Sequence, residues 1–334
     1  MIEFELVDTI ERYPLEKALE YAILAEKNNF TAVGVPDHFH PWSHKYGQGG
    51  FCWVFMGVVA SKTSRIQVGS CVTTPTIRYH PAIVAQAFAT LDALFPGRIY
   101  LGVGTGEPMN ELPLGLEWPP AKIRIEMLDE ALTIIKTLWT KTRVTYKGKY
   151  WKLSKANLYT KPKTKIPIFV AGTGVKIAYV AGKHADAFIT VPHVAVNFDK
   201  VLKSLRKGAK DSGRDPDKIK LVLHTMFSYD EDYEKALEAT KPWAATVIPA
   251  LYKYGIYDPV EMDEHAELVG KEVRAKKFTI VTSPDELISK IEPYIKMGFT
   301  RFQINNSSPD PPKLIEVIGK YVIPYFRDEY GDKS

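Results

Sequence analysis

The sequence predicts a (β/α)8 barrel, a TIM barrel carrying two insertions. Three observations predict it. Eight short apolar runs alternate with longer stretches of helical periodicity. The runs are rich in Val, Ile and Phe and mostly continuous in hydrophobicity, which suits strands covered on both faces. The length, 334 residues, is normal for one such barrel with insertions. A large open doubly wound sheet would give the same alternation, and the count of eight favours the closed form.

The strand-like runs lie at 3–8, 31–36, 65–71, 98–104, 166–172, 186–192, 219–227 and 301–306. After the first, 14–29 repeats apolar residues at helical spacing, as do 81–95, 123–139, 175–184 and 198–213. The helix predicted over 283–298 opens on a Ser cap and stops at Gly298, and that over 311–326 opens on prolines. Two segments interrupt the pattern. Residues 142–160 predict a β-hairpin with Lys-Gly-Lys at its turn. Residues 228–277 form an insertion after the seventh strand, with helices near 232–240 and 242–252 and a charge-rich stretch near 258–277. No flexible linker bounds either, so residues 1–334 are expected to form one domain.

Composition excludes several classes. Hydrophobic residues make up 45% and charged residues 25%, the shares of a folded globular protein. Lysines and arginines number 44 against 39 acids, a net +5, and they are scattered, so no nucleic-acid footprint is expected. Two cysteines, Cys52 and Cys71, are far from a disulfide framework and fit a reducing cytoplasm. No secretory pattern opens the chain, and no run approaches the roughly 20 apolar residues that cross a bilayer.

In such barrels the chemistry gathers where the strands end. Glu11 follows the first strand. Asp37, His38, His40, Trp42 and His44 follow the second. Cys71, Val72 and Thr73 follow the third, and Thr105, Gly106, Glu107, Asn110 and Glu111 the fourth. Ala171, Gly172, Thr173, Gly174 and Val175 follow the fifth, His193 the sixth, His224 the seventh, and Asn305 to Ser307 the eighth. An imidazole exchanges protons near neutral pH, which makes His38 the sharpest candidate, with Trp42 as an apolar wall. The alternative is a loop whose histidines cap backbone groups, and His40 and His44 keep that assignment. Glycines around Glu107 allow close backbone approach to a flat ligand. Gly102, Gly104 and Gly106 alternate as GxGxG and lack the dinucleotide-binding spacing. Amides opening the helix after Gly174 suit a phosphate, and a short βα turn is the equal alternative. Scattered lysines such as Lys253, Lys276 and Lys277 are ordinarily solvated. No metal-ligand constellation and no GxSxG elbow occurs.

Together DHFHPWSH, SCVTTPTIRYHPAIVAQAFATL, PGRIYLGVGTGEPMNE, AGTGVKIAYVAG, KYGIYDPVEM and NNSSPD resemble the deazaflavin-dependent branch of the luciferase-like superfamily over roughly residues 3–327. Within it the chain is most similar to F420-dependent secondary alcohol dehydrogenases, then to F420-dependent glucose-6-phosphate dehydrogenases. The resemblance implies a barrel, a homodimer, and coenzyme F420 without a metal. It implies that His38, Trp42, Glu107 and Glu11 serve catalysis, with His38 taking the hydroxyl proton and Glu107 serving the ring's N1 side. It implies that Asp37, Cys71, Val72, Thr73, Thr105, Gly106 and Asn110 line the cofactor, and that 171–175 hold its phosphate-bearing tail. It also implies a cis peptide between Cys71 and Val72.

The implied reaction passes hydride between a secondary carbinol and F420. In the sugar-phosphate branch two lysines and an arginine bind phosphate. Lys253 matches one lysine and Lys277 falls at the arginine, whereas the other lysine position holds Val194, a departure from that branch. A flavin mononucleotide-dependent monooxygenase and a deazaflavin-binding protein without catalysis are the remaining alternatives.

Overall fold

A computed structural model describes residues 2–192 and 197–331, without the side chains of Tyr252 and Lys253. His193 and Val194 lie outside the described residues. The chain begins with β1 (Glu3–Val7), α1 (Leu15–Lys27), β2 (Ala32–Val35), α2 (Cys52–Lys62), β3 (Gln67–Ser70), α3 (Pro81–Leu94) and β4 (Ile99–Val103). A single turn, α4 (Pro108–Glu111), and a 3-10 turn over Leu112–Leu114 lead to the long α5 (Ala121–Thr140). The predicted hairpin follows as β5 (Val144–Lys147) and β6 (Lys152–Ala156), closed by the Gly148 amide donating to the Trp151 carbonyl at 2.9 Å. Then come β7 (Ile168–Ala171), α6 (Val175–His184), β8 (Ala187–Thr190), α7 (Phe198–Asp211) and β9 (Lys220–Tyr229).

The second insertion is built of α8 (Tyr233–Glu238), a 3-10 segment Lys241–Val247, α9 (Pro249–Tyr254), α10 (Pro259–Glu267) and α11 (Lys271–Lys277). The chain returns through β10 (Thr279–Val281), α12 (Pro284–Lys296), β11 (Phe299–Asn306), α13 (Pro311–Val317) and α14 (Ile323–Tyr330), with a π turn over Ile318–Val322 between the last two. The helix expected over 311–326 thus widens for one turn before continuing.

Eight parallel strands, β1, β2, β3, β4, β7, β8, β9 and β11, close on themselves. The barrel prediction holds. β9 outlasts its neighbour: residues 220–223 pair with β8, and residues 227–229 pair with the short β10 on the rim. Core residues such as Val33, Val68, Leu101, Val170 and Ile304 are essentially inaccessible, as strands sandwiched between lumen and helices must be. α6 and α7 pack backbone to backbone. A Cβ on Gly182 would lie 2.1 Å from the Leu205 carbonyl, and one on Gly208 2.1 Å from that of Tyr179.

α2 was not among the predicted helices. Its sequence, CWVFMGVVASK, is apolar on every side and therefore shows no 3.6-residue period. Its outer face, with Val54 and Val58, is exposed beside Phe51 and beside Ile83 of α3.

The lumen holds an ionic core. Arg301, 1% exposed, donates through Nε to Glu5 at 2.7 Å and lies beside the stacked rings of Tyr100 and Phe169, 5.0 Å from each centroid. Tyr100 donates its hydroxyl to the same carboxylate. Gln303 donates its amide to Glu5 at 3.0 Å. A buried charge survives only when paired and hydrogen-bonded, and Glu5 with Arg301 meets both conditions.

Candidate active site

A cavity of about 630 Å³ opens where the strands end, within the range of small-molecule sites. Of the sequence-predicted residues, Glu11, His38, Trp42, Cys71, Val72, Thr105, Gly106, Glu107, Asn110, Ala171, Gly172, Thr173 and Lys277 line it. Residues at or beyond the C-terminal ends of five strands, β1, β2, β3, β4 and β7, meet there, joined by Lys277 at the end of α11.

His38 sits at the centre. It follows β2 and is held on both sides: Nδ1–H donates to Glu11, and Nε2 lies 3.2 Å from Glu107. The His38 and Glu11 side chains are 16% and 6% exposed, so water screens the pair little. Burial works against a charged ring, but Glu11 and then Glu107 outweigh it and hold the imidazole well above its usual pKa. The resting group is therefore an imidazolium between two carboxylates.

Trp42 meets His38 edge to face, with ring centroids 6.0 Å apart. It packs in a separate hydrophobic cluster with Met109, Trp243, Leu251, Met262 and Phe278, most of them from the second insertion. The insertion is thus the outer wall of the cavity. Buried Arg274 ties it together by donating to the Leu237 carbonyl at 2.7 Å and to Glu238 at 3.1 Å. The 38–46 loop is stitched to it as well, through the Lys45 amide donating to Asp263 at 2.8 Å. His40 lies 3.2 Å from the Tyr257 carbonyl and His44 is exposed, in keeping with their assignment as peripheral.

Asp37 and Thr73 stand behind the wall rather than in it. Asp37 accepts from Thr73 at 2.7 Å and Tyr79 at 3.1 Å and pairs with Arg78 at 3.1 Å. Burial raises its pKa against the pull of Arg78 and these donors. Thr73 also accepts from the Trp53 indole at 2.9 Å. Both residues brace the loops after β2 and β3. The Cys71–Val72 peptide is cis, as the resemblance implies. Burial pushes the Cys71 thiol well up, so it stays protonated.

The β4 loop lies close against this bracing. A Cβ on Gly104 would sit 2.9 Å from Val72, and one on Gly106, whose φ is +86°, 2.9 Å from Thr74. Asn110 accepts the Phe39 amide at 2.8 Å, fixing its own carboxamide beside the cavity. Gly174 and Val175 are exposed at the start of α6 and do not line the cavity. The first amides of that ten-residue helix have no intrahelical acceptors, and Gly172 and Thr173 lead from the cavity to them. Lys277 is joined by Lys276 and by Lys290 of α12, while the Lys253 side chain lies outside the described residues.

Asn305, read from the sequence as a strand-end candidate, also faces the cavity near the end of β11, whereas Thr190 at the end of β8 lines it without a sequence signal; Thr190 Oγ1 and Asn305 Oδ1 have no hydrogen-bond partner among the described residues. Trp243 and Phe278 come from the insertion, whose placement no local pattern fixes. No group of three or more metal-ligating side chains occurs among the described residues, and no helix there is long and apolar enough to cross a membrane.

The family model described as luciferase-like monooxygenase matches residues 4–301. The F420-dependent glucose-6-phosphate dehydrogenase of Nakamurella multipartita is 37% identical over 332 residues, 99% of this chain and 98% of that protein. That of Beutenbergia cavernae is 38% identical over 319 residues, 95% of each. A solved F420-dependent secondary alcohol dehydrogenase, in complex with an F420-acetone adduct, is 38% identical, with a TM-score of 0.89 over 96% of this chain and 98% of that one. The F420-dependent tetrahydromethanopterin reductase of Methanopyrus kandleri is 27% identical, with a TM-score of 0.79 over 97% and 99%. With nearly nine-tenths of its length matched and its cavity at the mouth of a closed parallel barrel, the chain belongs to the luciferase-like family.

Proposed function

We propose that this chain is an F420-dependent dehydrogenase acting on secondary carbinols and their ketones. The observation that carries the proposal is the charged His38, clamped by Glu11 and Glu107 at the edge of a cavity with a glycine-lined wall. The residues present fit a deazaflavin. Gly104 and Gly106 line the cavity with bare backbone that a flat ring can approach closely, and Thr190 and Asn305 offer unpartnered polar atoms. The opening amides of α6 suit a phosphate in the tail. When bound, F420 supplies a hydride acceptor and donor at C5 of its ring.

The chain's own groups handle the proton and the charge. In ketone reduction the His38 imidazolium donates to the carbonyl oxygen, which gains negative charge as hydride arrives. Glu11 fixes the ring's tautomer and orientation through Nδ1, and the Trp42 cluster keeps bulk water from that side. In alcohol oxidation His38 takes the hydroxyl proton only after releasing its own toward the partly exposed Glu107. That refines the proton-acceptor role expected from sequence: the flanking carboxylates load the ring first.

Loss of deazaflavin fluorescence on mixing with 2-propanol, abolished in His38→Ala, is the expected result. Unchanged turnover in that variant discards the role of His38. A second observation favours sugar phosphates: the named relatives are glucose-6-phosphate dehydrogenases, and Lys276, Lys277 and Lys290 line the cavity. Glucose 6-phosphate preferred over 2-propanol, with the preference lost in Lys277→Ala, would establish that substrate instead. Tight flavin mononucleotide binding with oxygen consumption would overturn both.

A homodimer through α2 and α3 belongs to the same proposal. Phe51 just before α2, Val54 on it and Ile83 on α3 are 50%, 67% and 52% exposed, an apolar patch that a second copy of this face would cover. Two unpaired thiols support a cytoplasmic location.

A further inference from the structure

We propose that His224 is a second functional imidazole, a neutral hydrogen-bond acceptor on the cavity floor whose Nε2 takes an O–H or N–H of the bound ligand. The proposal rests on taking the cavity as the F420 and carbinol site.

Glu5, paired with Arg301 in the ionic core, has only lone pairs to offer, so Gln303 must turn its NH2 toward it, at 3.0 Å. The carboxamide then has one orientation, with Oε1 facing the other way. Two groups meet that oxygen: Sγ of Cys71 at 3.5 Å and Nδ1 of His224 at 3.3 Å. Oε1 can only accept, so the His224 proton resides on Nδ1. Nε2 is left with a lone pair and makes no hydrogen bond within the described residues, while the side chain lines the cavity. Burial lowers the pKa of this ring, despite Gln303 and the more distant Glu5, Glu11 and Glu107, which agrees with the neutral form.

The contrast with His38 comes from what faces Nδ1. There it is the Glu11 carboxylate and the ring is charged; at His224 it is an amide oxygen and the ring is neutral. One cavity thus holds a cationic donor and a neutral acceptor. Gln303 acts as the positioning residue, because it selects the tautomer without reaching the cavity. The donor that Nε2 takes has two sources, the imide N–H of a deazaflavin or the O–H of a carbinol.

The first measurement needs no ligand. Two-bond 15N–1H spectra of histidine-labelled protein at neutral pH should show a neutral imidazole with its proton on Nδ1 that is absent from His224→Phe. A proton on Nε2, or a cationic His224, overturns the proposal. The second measurement separates the sources. In His224→Phe either the deazaflavin Kd or the alcohol KM should rise about tenfold, the usual effect of one lost buried hydrogen bond. A change in Kd assigns the ring N–H, and a change in KM with unaltered ketone inhibition assigns the carbinol. Wild-type and variant proteins that bind F420 and alcohol equally well overturn the proposal and leave the function standing. A wild-type protein that binds no F420, yet shows the Nδ1–H tautomer, overturns the function instead.

Discussion

Glu11→Gln tests the charged imidazole most directly. The substitution leaves an amide oxygen to accept from Nδ1 of His38 and removes one negative charge. Exchanging a charge-assisted hydrogen bond for a neutral one beside a buried cation costs about 2 kcal/mol, because Glu107 still faces Nε2. Unfolding entropy of about 2.1 cal/mol/K per residue, over 334 residues, turns that cost into a fall in Tm of about 3 °C. The pH dependence follows from linkage. His38 has a folded pKa above its unfolded one, so its pairing stabilises the protein in full below about pH 6.5 and loses that effect as pH rises through the folded value. Thermal scans of wild type and variant should therefore show a gap that is widest near about pH 6 and narrows toward alkaline pH. A gap that is constant, or that grows as pH rises, refutes a cationic His38, and with it the donor role in ketone reduction.

Burial lifts the Glu111 carboxyl to about 7 against the pull of Arg78. A raised acid pKa means that stability falls as pH climbs from about 4.5 to about 7, so Glu111→Gln should raise Tm by about 5 °C above that window and by little below it, read by the same scans. Gly106→Ala forces a side chain into a φ of +86° and against Thr74, so deazaflavin affinity measured by fluorescence titration should fall at least about tenfold. Val54→Asp charges the exposed face of α2, and sedimentation should show a dimer for the wild type and a monomer for the variant. Gly182→Ala has no room beside the Leu205 carbonyl and should lower Tm by several degrees without changing substrate KM.

The barrel was legible because its strands are buried on both faces. Most strands read as apolar runs, and all eight fall within two residues of their predicted limits, as with Ile99–Val103 inside 98–104. α2 was hidden for the opposite reason. A helix with no polar face has no period to detect, and its outer surface is apolar in the free chain. The site was half legible. His38, Glu11 and Glu107 announce themselves as polar residues just past strand ends. The roles of Asp37 and Thr73 do not, because a residue one position along the same loop turns into the wall instead of the cavity. The second insertion could be bounded from sequence, but nothing in it shows that Trp243 and Phe278 come to lie against Trp42.

The polar residues inside the strands carry the least local signal and the most consequence. Glu5, Arg301 and Gln303 interrupt otherwise apolar runs, and each alone reads as a surface residue on a strand edge. Register decides otherwise. β1 and β11 pair Glu5 with Gln303 and Glu3 with Arg301, so both acids face both donors across one ladder. Side chains alternate with period two, so residues 301, 303 and 305 all point to the lumen. The Arg301 charge fixes Glu5, Glu5 fixes Gln303, and Gln303 fixes the tautomer of His224, its register partner on β9. A one-residue slip in this pairing would turn all three outward and bury their apolar neighbours in the lumen. The ionic core therefore does two things at once. It holds the register of the closing strand pair, and it sets the hydrogen-bonding character of the cavity floor.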